Sequence, residues 1–337
     1  MRRVLIAAAS VLALLNPAPA AADATVLLCE PFGRLARLSP TGHIAVYLDR
    51  VCAASPTVLR RCQPGETGVV ISRYKGVGGA DWIAMPLIPY LYAVERAADV
   101  PAEADAQQVA ALKNAYREAN LRALAPDAPG GEPPTGNWVQ LVGAAYSRRI
   151  VAFTVKTTAA QDDDVIRTLN ARPNQPRFNS LFRNCADFVL DVMNLYFPKA
   201  LRSSAVADLG IATPKQVAKS LVQYADRHPD LQLHTFVVAQ IPGSRPQSGS
   251  TRGVLESLVK KPMYLVPLTI VEPWIPVAFA TGYVVAGRFN PARHAASVYG
   301  PADLERWARS GIVEAGESPL SLPVQDEWGR GLGAGCP

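Results

Sequence analysis

The chain has 337 residues, 49% of them apolar and 18% charged, with a formal net charge of +6. That balance fits one folded domain, or one domain with an appendage, and excludes an intrinsically disordered chain. The positive charge is scattered, with no basic run interleaved with aromatics, so a nucleic-acid partner is not expected.

Arg2 and Arg3 precede an apolar run over 4–15, then Asn16-Pro17 and a string of alanines. This is the layout of a secretory signal, with small-residue cleavage sites from Ala20 to Ala24, and residues 1–24 are assigned to it. The run is too short for an ordinary bilayer span. Leu28 before Cys29 argues against a lipoprotein anchor. The chain is therefore expected in the periplasm or cell envelope. Five cysteines in an exported chain leave one thiol over. Cys52 and Cys62 flank a short loop and are the expected pair, which leaves Cys29 with Cys336 and Cys185 free.

Taken in chain order, Ile44, Val46 and Leu48 alternate with His43, Ala45 and Tyr47, the period-two pattern of a half-buried strand. A second β-rich run covers 68–74, and the glycine cluster at 75–79 reads as a turn. Residues 81–95, rich in aromatics and prolines, read as a packed connector. Residues 101–123 are helical in composition, and 125–136 form a Pro/Gly-rich loop. Residues 138–146 and 149–156 read as a hairpin joined near Ser147-Arg148. Thr157 or Thr158 then caps a helix whose solvated first turns hold Asp162, Asp163 and Asp164.

The next helix opens with Asn184 as N-cap and Asp187 three residues on. Phe188, Val189, Val192 and Tyr196 recur on one face, and Pro198 ends it. Thr213 and Pro214 open another helix to about 224, followed by a strand-like stretch over 228–240. Residues 264–287 are strongly apolar, interrupted by Glu272, Pro267, Pro273 and Pro276. Such a segment can span a bilayer, form a buried helical hairpin, or lie on a membrane surface. A short helix is expected over 301–310.

Cys185 sits at a helix start, where the dipole and unpaired N–H groups favour thiolate. His43, on a strand, is the candidate base. A catalytic Cys185 is expected to be a fast-alkylating thiol of low pKa, and its own backbone N–H, at the Asn184-capped helix start, is a candidate oxyanion donor. His228, His234 and His294 lack zinc-ligand spacing and read as surface residues, so no metal or other cofactor is expected. Neither a Gly-x-Ser-x-Gly elbow nor a Gly-x-Gly-x-x-Gly turn is present.

Gly42-His43 with its strand, followed late in the chain by Asn184-Cys185-Ala186-Asp187-Phe188 with its helix, resembles the circularly permuted papain-like superfamily related to NlpC/P60 hydrolases. The same His-before-Cys order occurs in the lecithin:retinol acyltransferase group. The resemblance covers roughly 25–225. It implies an α+β domain in which an antiparallel sheet packs on a helix begun by the cysteine, leaving 226–337 as an appendage with the apolar segment 264–287. It further implies Cys185 as nucleophile, His43 as base, and a third polar residue on the next strand, where Ser72 or Tyr74 is available and Ser72 is taken. The implied activity is hydrolysis or acyl transfer on an envelope amide or ester, from a peptidoglycan peptide or a lipid, with membrane contact through 264–287. The alternative is a non-catalytic envelope module that keeps the same fold.

Overall fold

The computed structural model describes residues 21–33, 41–243 and 245–310. Residues up to 20, which hold most of the expected signal, and Cys336 lie outside them. The fold is mixed α+β around a mainly antiparallel seven-stranded sheet. Its strands are β1 (Ala21–Cys29), β2 (His43–Leu48), β5 (Val69–Val77), β6 (Ala80–Pro86), β7 (Ile150–Thr158), β8 (His234–Val238) and β9 (Ser297–Tyr299), in the order β6-β5-β2-β1-β7-β8-β9. Only the β8–β9 pair is parallel. A separate hairpin pairs β3 (Val51–Ser55) with β4 (Val58–Arg61).

Helices cover both faces of the sheet. One face carries Leu27, Ala45, Tyr47, Val70 and Ala152 under α1 (Leu87–Tyr92), α2 (Ala106–Asn120) and α9 (Pro301–Ser310). The other carries Val26, Ile44, Val46, Ile71 and Phe153 under α3 (Ala159–Ala171), α4 (Cys185–Tyr196) and α5 (Pro214–Ala225). All six residues of β2 are therefore buried, not the half expected from its alternation. The alternation is real, but it sorts residues between two cores and not between core and water.

Local chemistry explains the helix starts. The side chains of Asp105, Thr158 and Asn184 each accept from backbone N–H groups of the first turn, and Gln108, Gln161 and Asp187 reach back to complete capping boxes. Thr213 caps α5 with Pro214 behind it. The acidic turn of α3 is only partly solvated: Asp162 is buried and accepts from the Tyr196 hydroxyl at 2.7 Å.

Several elements differ from expectation. Residues 138–146 form short 3-10 turns, not the first leg of a hairpin, and β7 pairs with β1 and β8 instead. Gly143, at φ 68°, breaks the extended pattern, and a side chain there would meet Cε of Lys113 at 2.8 Å. The connector over 81–95 is strand β6 followed by α1, whose residues are all buried. β8 and β9 extend the same sheet, so the boundary expected at 225 falls inside one sheet. β1 begins at Ala21, within the segment assigned to the signal, with Ala22, Asp23 and Ala24 buried. Of the cleavage sites considered, the one after Ala20 leaves this strand whole.

The apolar segment folds as α7 (Pro262–Val271), α8 (Trp274–Gly282) and one π turn (Tyr283–Gly287), following α6 (Val254–Val259). Among the described residues no helix is long and apolar enough to cross a membrane. Pro273, at the break between α7 and α8, ends the continuous run that a span requires. Nor is this a buried hairpin: α8 and the π turn bury no residue, and Ile270 and Val285 are 79% and 77% exposed.

Candidate functional site

The start of α4 is fixed from two sides. Oδ1 of Asn184 accepts from the amides of Ala186 and Asp187 at 2.7 and 3.2 Å, and its Nδ2 donates to the carbonyls of Ser180 and Ala212. Oδ1 thus caps the helix, while Nδ2 ties its start to the carbonyls of the neighbouring loops. The Asn184 carbonyl accepts from Arg73, whose guanidinium forms a two-pronged pair with Asp81 at 2.8 and 2.7 Å. Asn174 ties the loop before α4 to β6 by accepting from the amides of Asp81 and Trp82. Cys185, the first residue of the helix, is thereby held against β2.

His43 opens β2, buried and stacked on Tyr74 with ring centroids 5.2 Å apart. Its Nε2 lies 3.1 Å from Oγ of Ser72, and Ser72 donates its own proton to the Ile44 carbonyl at 2.8 Å. With that proton committed, Ser72 accepts from Nε2–H of His43, leaving Nδ1 as the lone-pair nitrogen. Ser72 thus meets the imidazole at Nε2, while Tyr74 meets its ring face. Burial and the nearby Arg148 charge push His43 down to about 3, so the ring is neutral at physiological pH.

Cys185 meets β2 at the residue after His43. The sulfur feels the amide N–H of Ile44 and its own N–H, and both favour thiolate. Burial outweighs them and raises the thiol to about 11. The helix-start position thus does not produce the depressed pKa expected from sequence, because the residue, although half-exposed as a whole, keeps its sulfur among protein atoms. No hydrogen bond joins the Cys185 sulfur to His43 in this state. The cause lies in the strand: α4 covers the face bearing Ile44, whereas His43 shares the opposite face with Tyr74. The two residues lie at one strand end with no hydrogen bond between them.

Sequence reasoning missed several neighbours of this strand end. Cys29 stands opposite His43 in the β1–β2 register, and its buried thiol lies 3.4 Å from the Tyr90 hydroxyl. Burial pushes the Cys29 thiol and the Tyr74 and Tyr90 hydroxyls up. Arg148 is buried, and its charge is felt by His43, Cys29 and Cys185. The only hint of Arg148 in the sequence was its place beside Ser147 at the expected hairpin joint.

The remaining cysteines form the expected Cys52–Cys62 disulfide. Glu66 lies close to these sulfurs, but a disulfide has no thiolate to offer a metal, and the Glu66 carboxylate is already paired with Arg60 at 2.6 and 2.7 Å. The partner expected for Cys29, Cys336, lies outside the described residues. Among the other histidines, His294 is exposed, as expected. His228 and His234 are half-buried instead, near the Tyr224 carbonyl at 2.8 Å and the Tyr299 hydroxyl at 3.3 Å. No family model matches the chain, and neither a curated protein nor a solved structure does.

Proposed function

We propose that the chain is an exported thiol-dependent hydrolase or acyltransferase with a permuted papain-like arrangement, acting on an envelope amide or ester of a peptidoglycan peptide or a lipid. The observation that carries this is the Ser72–His43 bond at 3.1 Å, with the Ser72 proton engaged by Ile44. It fixes a neutral imidazole with Nδ1 unprotonated at the strand end where Cys185 packs, and substrate binding must relieve the burial that holds the ring down to about 3 before it serves as general base. Once substrate binding brings the two side chains within hydrogen-bond reach, Nδ1 takes the Cys185 proton, the sulfur attacks the carbonyl carbon, and the leaving group departs with that proton. Water or a second acceptor then releases the acyl group from sulfur. The amide of Cys185 is the available donor for the oxyanion. Burial keeps both partners uncharged at rest, so proton transfer belongs to the substrate-bound state. The exposed apolar surface of α7 and α8, with Val266, Ile270, Trp274 and Val277, favours action at a membrane.

The test is turnover of periplasmic amide and ester probes by the wild type and by Cys185→Ser, His43→Gln and Ser72→Ala. Loss in the first two and partial loss in the third is expected. Full turnover by Cys185→Ser would sink the proposal. The second reading, a non-catalytic module, is favoured by the missing Cys185–His43 hydrogen bond and by the raised thiol. It predicts no acyl-thioester at Cys185 with any probe.

A further inference from the structure

Arg148 is 5% exposed, and its Nε has no hydrogen-bond partner. Among the described residues no carboxylate pairs with its guanidinium. The acid nearest in sequence to this strand end, Glu30, is occupied by Arg149 at 3.0 Å and by Ser248 at 2.6 Å. Arg148 instead lies over the ring of Phe32 at 4.5 Å, and Arg245 lies over the same ring at 5.2 Å. Lys113, beside the Gly143 turn, donates from Nζ to the Val139 carbonyl at 2.7 Å. Burial, and after it the charges of Arg148 and Arg245, lower Lys113 to about 7.

A buried guanidinium without a counter-charge is unfavourable, and so are cations gathered with no acid among them. Among the described residues the arrangement favours an anion at Arg148. Its place in the fold sets what the anion belongs to. Ile150, two residues after Arg148, pairs with Cys29, which in turn pairs with His43. An anion on Arg148 therefore sits at the strand end that carries Cys185 and His43. A carboxylate is satisfied by one guanidinium, whereas two planar guanidinium forks over one ring suit the spread charge and several oxygens of a phosphate.

We propose that Arg148, with Arg245 over the same Phe32 ring, receives a phosphate group carried by the substrate of Cys185. The word substrate rests on the thiol chemistry proposed above; the anion site does not. The test is calorimetric titration of the full exported chain with inorganic phosphate at constant ionic strength, with acetate as the comparison anion. Saturable phosphate binding is expected, weakened about tenfold or more in Arg148→Gln and less in Arg148→Lys, with acetate at least about tenfold weaker than phosphate. Should Arg148→Gln fail to fold, Arg148→Lys and Arg245→Gln carry the same comparison. A soluble short-chain phosphodiester lipid that binds more tightly than inorganic phosphate marks a headgroup as the source; the reverse order marks a smaller phosphate ester. Either order sustains the site. Phosphate affinity unchanged by the arginine substitutions, or acetate bound as tightly as phosphate, overturns it. The Cys185→Ser variant separates the two proposals. Arg148-dependent phosphate binding with no thiol-dependent turnover keeps the site and removes the enzyme, and turnover without such binding does the opposite.

Discussion

Acidification should destabilise this protein through His43 in a way that one substitution exposes. In the unfolded chain the imidazole takes a proton near 6.5, whereas burial and Arg148 hold it down to about 3 in the fold. Between those values the unfolded state binds one more proton, so stability falls with falling pH by about 1.4 kcal/mol per unit. Above pH 6.5 both states are neutral at this residue and its contribution to the slope vanishes. From pH 6.5 to about 4 the His43 contribution is roughly 3 kcal/mol, a large part of a typical domain's stability. The assay is urea unfolding of the wild type and His43→Gln at several pH values, which cancels other titrating groups in the difference. Glutamine keeps an N–H for Ser72 but no proton site, so its profile should be flatter by that amount. Parallel profiles for the two proteins would refute the assignment of a buried, neutral His43.

The Cys185 thiol, raised to about 11 from an ordinary 9.0, should have roughly a hundredfold less thiolate at neutral pH than a free thiol. Iodoacetamide labelling followed by mass spectrometry should therefore be slow at pH 7.5 and climb steeply above pH 9; fast neutral labelling would contradict the burial. Removing one partner of the buried Arg73–Asp81 pair, as in Asp81→Ala, leaves a guanidinium uncompensated and should cost about 3–5 kcal/mol in urea unfolding. Reducing the Cys52–Cys62 bridge, which spans a sequence separation of 10, should lower stability by roughly 3 kcal/mol without dissolving the main sheet seen by circular dichroism. Gly68→Ala should impair folding outright, because a Cβ there would stand 1.8 Å from the Leu48 carbonyl oxygen and part β2 from β5; wild-type stability in that variant would disprove the close approach.

The sequence alone determined the parts of this protein whose causes are local. Asn184, Thr158 and Thr213 mark helix starts because a first turn has orphan N–H groups that a side chain close in sequence must satisfy. The Cys52–Cys62 pairing was legible for the same reason, since a short loop keeps its ends close. Only the tertiary structure decided the rest. Residues 138–146 had the composition of a strand, but β7 found its partners in β1, far back in the sequence, and in β8 beyond. The choice of Ser72 over Tyr74 followed from which side chain the β2–β5 packing turned toward Nε2 of His43. The protonation of the site was the least legible of all. A helix start favours thiolate over a distance of one turn, but the cost of burial depends on every element that closes over the sulfur. The same holds for Arg148: the sequence placed it only at a hairpin joint, and its burial against Phe32 came from the tertiary packing.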